Sequence, residues 1–457
     1  MTTFPAGFLW GAATSSYQIE GAAFEDGRGL SIWDTFCKEP GKVSKGDNGD
    51  IACDHYHLFL DDIALMKRLG LKTYRFSFAW PRLFPQGDAV REERGFAFYD
   101  KLINALLAAG IKPLATLYHW DLPQALQDKG GWVNRDIVET FAHYATAIAE
   151  HFGDRVKDFS PINEPWVVAW LGYGIGVHAP GHTSRREAFA AAHHTAMSHG
   201  AAVNAMRKVR GDLRLGPVLN QANCVPDDAN NPMLAHAADV MDAQQNRFWM
   251  DAFFHGKYPE ILLKEFADDL SAVIQPGDLE LANVKNDFLG INFYFDSRIG
   301  TPDPTSIKNN DLAALFNLDI DSSPRGPLTD MGWPLTPEGL RNLLVRWSVE
   351  LGETCPDIYI TENGVAYDDG INEFGKIQDD RRIEYLRTHL IAIREAISQG
   401  APVKGYYEWS LMDNFEWAVG YEKRFGIVYV DYETQKRTIK ESGHWYSRVI
   451  ESNGGTL

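Results

Sequence analysis

Eight short apolar runs, each of strand length, punctuate the chain: Leu9–Ser15, Thr73–Ala79, Lys112–Tyr118, Lys157–Ile162, Leu213–Leu219, Asp287–Tyr294, Asp357–Thr361 and Val403–Trp409. Between them lie stretches such as Phe59–Leu69, Phe98–Ala109, Ile137–Phe152 and Glu384–Ser398. In these, apolar residues recur at three- and four-residue spacing, the period of a helix with one buried face. Gly70, Gly110 and Gly153 follow helical stretches, where a helix C-terminus favours a left-handed residue. Strands alternating with helices predict parallel βα units, and eight units predict an α/β fold, a closed (β/α)₈ TIM barrel with elaborated βα-loops. The runs are continuously apolar, as parallel strands buried on both faces should be. No linker, repeat or low-complexity tract interrupts the 457 residues. The expectation is one domain over 1–457, since barrels exceed 400 residues when their loops carry insertions.

The balance of charge excludes some partners. With 44 basic and 62 acidic side chains the formal charge is −18. Nucleic acid and anionic membranes both need a basic face, so neither is expected as a partner. The four cysteines, Cys37, Cys53, Cys224 and Cys355, form no CxxC pair, which predicts reduced structural thiols rather than disulfides or a zinc site. No signal-peptide pattern opens the chain and no run of 18 apolar residues occurs, so a cytoplasmic protein is expected. The chain is rich in aromatics, with 13 Trp, 18 Tyr and 25 Phe. Such residues fill cores, but they also stack on the apolar C–H faces of sugars.

A barrel carries its active site at the C-terminal ends of its strands. The first run leads to Ser16-Tyr17-Gln18 and the third ends in His119-Trp120-Asp121. The fourth ends in Asn163-Glu164-Pro165, the sixth in Asn292-Phe293-Tyr294, the seventh in Glu362-Asn363-Gly364 and the eighth in Trp409. Amides, indoles, a histidine and two carboxylates therefore converge on one cavity. That set suits a neutral polyol better than a phosphate or a hydride carrier. Glycoside hydrolysis needs two carboxyls, one to protonate the departing oxygen and one to attack the anomeric carbon or activate water. Their separation decides between retention and inversion, and the sequence is compatible with either.

Four segments carry a resemblance. Phe8 to Gly21 (FLWGAATSSYQIEG), Asn163-Glu164-Pro165, Ile360-Thr361-Glu362-Asn363-Gly364 and Trp409 to Trp417 (WSLMDNFEW) resemble, in order, the N-terminal signature, acid/base motif, nucleophile motif and sugar-recognition loop of family 1 glycoside hydrolases. The resemblance runs from Phe8 to about Tyr446. It implies retention, with Glu362 as nucleophile, Glu164 as acid/base and no cofactor or metal. Arg75 would keep Glu362 ionised and Tyr294 would hydrogen-bond it, while Glu164 needs a raised pKa. The implied sugar-binding residues are Gln18, His119, Trp120, Asn163, Asn292, Tyr294, Trp409, Glu416 and Trp417, with Trp166 and Trp333 on the leaving-group side. The implied substrate is a small β-glucoside or cello-oligosaccharide. Phospho-sugar members of the family replace the Glu-Trp pair, whereas this chain keeps Glu416-Trp417. The carboxylate would repel a 6-phosphate, so non-phosphorylated glucose, fucose or galactose is expected.

Two residues depart from the family's pattern. Pro161 stands where Thr is common, and Pro removes a backbone donor. Glu408 stands where a small apolar residue is usual, and a buried carboxylate without a partner is costly. A non-catalytic sugar-binding barrel and a transglycosylase are the alternatives. Asp54-His55-Tyr56-His57 and His193-His194 look like metal clusters, but on helices these side chains diverge. Gly172 to Gly176 (GYGIG) lacks the lysine and strand–helix context of a phosphate loop.

Overall fold

In the computed structural model, which describes residues 2–302 and 311–457, the apolar runs become parallel strands of one curled sheet. They are β1 (Leu9–Ala13), β2 (Thr73–Ser77), β3 (Lys112–Tyr118), β4 (Asp158–Ile162), β5 in two pieces (Arg214–Leu215 and Val218–Asn220), β6 (Phe288–Asn292), β7 (Asp357–Asn363) and β8 (Val403–Trp409). β1 pairs with β2 on one side and with β8 on the other, Ala13 lying opposite both Arg75 and Trp409.

The ring closes at β5. Its first piece pairs with β4 and its second with β6. The handover occurs at Gly216-Pro217: Gly216 N donates to Phe159 O of β4 (3.3 Å), and Pro217 O accepts from Gly290 N of β6 (2.8 Å). A Cβ on Gly216 would stand 2.1 Å from Phe288 O, so only glycine lets the two backbones approach. Pro217 has no N–H to leave unpaired at the break. The fifth run is therefore not the continuous strand its apolarity suggests.

A principal helix follows each strand: α1 (His55–Leu69), α2 (Glu93–Ala108), α3 (Ile137–Phe152), α4 (Arg185–Val209), α5 (Pro232–Asp242), α6 (Pro337–Leu351), α7 (Asp380–Ser398) and α8 (Glu441–Glu451). The (β/α)₈ barrel expected from the alternation is thus the fold. Three helices begin four or five residues before their apolar period does, because their first turns are largely polar. Gly70 and Gly110 adopt the expected left-handed conformation. Gly153 does not: its φ is −67°. It serves for space instead, since a Cβ there would meet Arg210 Cδ at 2.7 Å.

The barrel interior is packed. Ala13, Leu114, Val218, Phe288, Tyr359, Tyr407 and Trp409 form one buried cluster inside it. Burying each large apolar side chain contributes about 1.5–3 kcal/mol. A second, larger core lies between the strands and the helical ring. The loops above the C-terminal strand ends carry most of the remaining elements, while a run of short helices over 248–282 leads from α5 into β6. Among the described residues, no helix is long and apolar enough to cross a membrane, and the four cysteines are free thiols.

Candidate active site

The C-terminal strand ends surround a cavity of about 390 Å³. His119 and Trp120 enter it after β3, Glu164 after β4, Asn292 and Tyr294 at β6, Glu362 from β7, and Trp409 from β8. The loop after β8 adds Glu416 and Trp417, and Trp166 and Trp333 also line the wall. Arg75, Asn163 and Gln18 stand one layer behind. Gln18 is fully buried, and its Nε2 donates to Asn414 Oδ1 (3.0 Å) and Phe415 O (2.8 Å). Both of its amide hydrogens are thereby used, so Gln18 holds the backbone that presents Glu416 rather than lining the cavity.

One web of hydrogen bonds positions the two glutamates. Arg75 donates from Nη1 to Glu362 Oε1 (2.5 Å) and from Nη2 to Asn163 Oδ1 (2.5 Å). Tyr294 donates its hydroxyl to Glu362 Oε2 (2.8 Å). Asn292 donates from Nδ2 to Glu164 Oε1 (2.6 Å), and Thr361 Oγ1 fixes that amide by donating to Asn292 Oδ1 (2.6 Å). The Asn292 amide also favours the charge on Glu362, so one side chain serves both carboxyls. Across the sheet Asn292 lies opposite Glu362.

The two carboxyls differ in what faces them. Burial pushes Glu164 well above the ordinary glutamate range, and the neighbouring Glu362 pushes it the same way. Burial also raises Glu362, but Arg75 and Tyr294 oppose the rise there. Of the pair, Glu362 is the one whose surroundings stabilise an anion, and Glu164 is the one held as an acid. Glu416 is pushed up to about 8 by burial and by Glu362, and its Oε2 has no partner.

Burial, followed by Arg75, lowers the His119 pKa well below its usual value and keeps the ring neutral. Its Nε2 accepts from Asn163 Nδ2 (3.1 Å). The hydrogen then sits on Nδ1, which is buried without a partner. His119 and Glu416 both line the cavity, and a neutral N–H donor and an unpartnered carboxyl are groups that hydroxyls can complete. The His119 ring lies near-parallel to Trp409 (5.9 Å) and to Trp417 (6.0 Å), and Trp417 also packs on Trp120 at 4.6 Å. Three residues here have positive φ without being glycine: Trp120 (77°), Glu164 (47°) and Trp417 (47°). Such conformations cost on the order of 1–3 kcal/mol each and concentrate where a site dictates the side-chain direction.

Both sequence departures leave the site intact. With Pro161 in β4, Asn163 N still donates to Tyr118 O (2.9 Å) and Glu164 N to Val218 O (3.0 Å). Glu408 points away from the cavity, behind the barrel wall, where its electrostatic neighbours are Arg382, Lys440, Asp379 and Asp413. The candidate metal clusters are polar contacts within the protein. His55 pairs with Asp62 and His57 with Asp54, while His193 bonds Tyr258 and Asp278 and His194 bonds Trp132 O. Residues not singled out from the sequence also line the cavity, among them His178, Asn220, Gln221 and Phe425. Gly364 matters as well: a Cβ there would stand 1.6 Å from Trp409 O, so glycine lets the strand-eight end close over the residue after Asn363.

Two buried carboxyls of unequal environment, set among indoles and amides at the mouth of a (β/α)₈ barrel, are the groups that glycoside hydrolysis needs. The chain belongs to glycosyl hydrolase family 1, whose family-wide sequence pattern matches residues 1–455. It is 44% identical over 455 residues to β-glucosidase A of Thermotoga maritima, covering 99% of this chain and 98% of that one. It is 41% identical over 464 residues to a bifunctional β-D-glucosidase/β-D-fucosidase of Bifidobacterium breve, covering 98% of each. The solved structure of the Thermotoga maritima β-glucosidase in complex with cyclophellitol superposes with a TM-score of 0.92 at 43% identity, covering 99% of this chain and 100% of that one.

Proposed function

We propose that this enzyme is a β-glucosidase that removes terminal β-D-glucosyl units from small non-phosphorylated β-glucosides with retention of configuration. Glu362 is the nucleophile and Glu164 the acid/base. The observation that carries this is the unequal support of the two carboxyls: Glu362 receives the Arg75 guanidinium and the Tyr294 hydroxyl, Glu164 a single neutral amide.

The steps follow from that difference. Glu362 attacks C1 as the bond to the leaving oxygen breaks, and Glu164 gives that oxygen its proton. The glucosyl unit is then an ester of Glu362. Glu164, now a carboxylate, takes a proton from water as the water oxygen attacks C1 and expels Glu362. Two inversions restore the β configuration. Cyclophellitol is an epoxide, a group that a carboxylate nucleophile opens, so the Thermotoga maritima complex supports retention. In the glycone half, Glu416 and His119 Nδ1 take ring hydroxyls and Trp409 stacks on the ring. Glu416 offers a 6-phosphate no cation, and only its ionised form, which burial and Glu362 disfavour, would repel one. The relative that is also a β-D-fucosidase supports activity on fucosides. The whole chain acts as one barrel domain, and four free thiols support a reducing compartment such as the cytoplasm.

Initial rates on 4-nitrophenyl β-D-glucoside, galactoside, fucoside and 6-phosphoglucoside test the reading. Cleavage of the glucoside with none of the 6-phosphoglucoside is expected. No cleavage of any substrate would return the barrel to a non-catalytic sugar-binding role.

A further inference from the structure

Arg75 of β2 crosses the barrel interior to reach Glu362 on β7 and Asn163 at the end of β4. It has room because its neighbours inside are small. Inward residues of alternate strands share a layer in such a barrel. Followed through the strand pairing, the layer of Arg75 takes Ser160 from β4 and Gly290 from β6. Gly290 cannot be larger, since a Cβ there would stand 2.8 Å from Thr361 Cγ2. On β3, between Arg75 and Ser160, Leu114 faces the interior, so Thr116, two residues on, does too. Thr116 lies opposite Ser160 across the β3–β4 pair.

Two nitrogens of the guanidinium are engaged, but Arg75 Nε is buried without a hydrogen-bond partner, and so are Thr116 Oγ1 and Ser160 Oγ. None of the three residues is more than 1% exposed. Buried polar atoms without partners are rare and unfavourable unless something completes them, and these three come from neighbouring inward positions of β2, β3 and β4. One is an obligate donor and two are hydroxyls that donate or accept. A buried water takes two to four polar partners of this kind. It can accept from Nε–H and donate to both hydroxyl oxygens, and the guanidinium excludes a cation from the same place. We propose that Thr116 and Ser160 are positioning residues that, with one buried water, seat Arg75 Nε and so keep Nη1 on Glu362 and Nη2 on Asn163. This deepens the proposed function and rests on Glu362 being the nucleophile. Without the seat the guanidinium tilts, and Glu362 loses part of the interaction that opposes its burial. Its carboxyl then keeps a proton to higher pH. The other titratable groups facing it are Glu164 after β4, Tyr294 after β6 and Glu416 after β8, and removing a hydroxyl at 116 or 160 alters none of them.

A high-resolution crystal structure of the wild type should show one water within hydrogen-bond distance of Arg75 Nε, Thr116 Oγ1 and Ser160 Oγ. Density without that water, or with the three atoms bonded to other groups, overturns the assignment, and this check stands even if a variant fails to fold. Kinetics give the second check. Thr116→Val and Ser160→Ala each remove one hydroxyl with little change of shape, whereas Thr116→Ser keeps it. The first two should lower kcat on 4-nitrophenyl β-D-glucoside by about tenfold, since a misplacement of about 1 Å can cost about a hundredfold. They should also move the acid limb of kcat/KM to higher pH, and Thr116→Ser should match the wild type in both. An acid limb that stays in place sinks the positioning role, because a purely structural change alters how much enzyme is folded and not the pH at which Glu362 takes its proton. So does a Thr116→Ser variant as impaired as Thr116→Val. A wild type that cleaves no glucoside overturns the glycosidase reading itself.

Discussion

Arg75 Nη1 lies 2.5 Å from Glu362 Oε1 with both side chains buried, and the same guanidinium reaches Asn163 Oδ1 through Nη2 at 2.5 Å. A planar fork of this kind fixes a carboxylate in direction as well as charge, which a lysine ammonium cannot do. Arg75→Lys should therefore lower kcat on an aryl glucoside by about 100- to 1,000-fold, the range typical of losing one placed electrostatic donor. Circular dichroism and stopped-time assays on purified protein check this; a drop under about threefold would mean that the charge alone suffices.

Glu164 should matter in proportion to how much help the leaving group needs. Glu164→Gln should slow the cleavage of a poor leaving group by about 10²- to 10⁴-fold and that of 2,4-dinitrophenyl glucoside far less. The acidic form of Glu164 is the active one in the first step. Its raised pKa makes the wild-type kcat/KM fall on the alkaline side, and that limb should vanish in the variant. An alkaline limb that survives Glu164→Gln would assign it to another group.

Glu362→Ala should lose several orders of magnitude in turnover while the fold persists, because among the described residues no other carboxylate stands where Arg75 and Tyr294 converge. Product analysis by NMR on the wild type should show the β anomer first. Initial α anomer would rule out the glycosyl-ester route.

Glu408 lies behind the barrel wall with neither carboxyl oxygen hydrogen-bonded and no exposure. Arg382, Arg424 and Lys440 already face Asp369, Asp379 and Asp413 in the same region, three basic groups against three acidic ones. A further anion has no counterpart, and burial holds the Glu408 carboxyl well above the glutamate value of 4.5. A group with a raised folded-state pKa contributes its full stability below the unfolded value and loses it as pH rises toward the folded one. The wild type should thus lose up to about 1.4 kcal/mol of stability per pH unit from this residue above pH 4.5. Urea titrations between pH 5 and 8 should show a flatter profile for Glu408→Gln. Parallel profiles would mean that Glu408 ionises in place.

The strands and the residues at their ends were legible because both faces of a barrel strand are buried and the apolar runs stand out, and because the motif residues cluster at those ends. Other features were hidden for physical reasons. The break in β5 leaves no mark in hydrophobicity, since Gly216 and Pro217 act through backbone approach and a missing donor. Gln18 sits in a motif, yet its amide turns to Asn414 and Phe415, a partnership across the fold that spacing does not reveal. Gln221 belongs to no motif. Its place in the cavity wall depends on Trp347, 126 positions away, whose indole donates to its Oε1. Gly153 carried the right residue type for the wrong reason, filling a need for room rather than for a left-handed turn.

The pairing of β1 with β8 has a consequence for synthesis on the ribosome. Strands β1 to β4 can associate as they emerge, because each finds its next neighbour within the nascent chain. The outer edge of β1 stays open until residues 403–409 have been made. For most of translation the growing polypeptide is an incomplete arc with a sticky rim, and chaperone occupancy on stalled nascent chains should fall once β8 clears the exit tunnel.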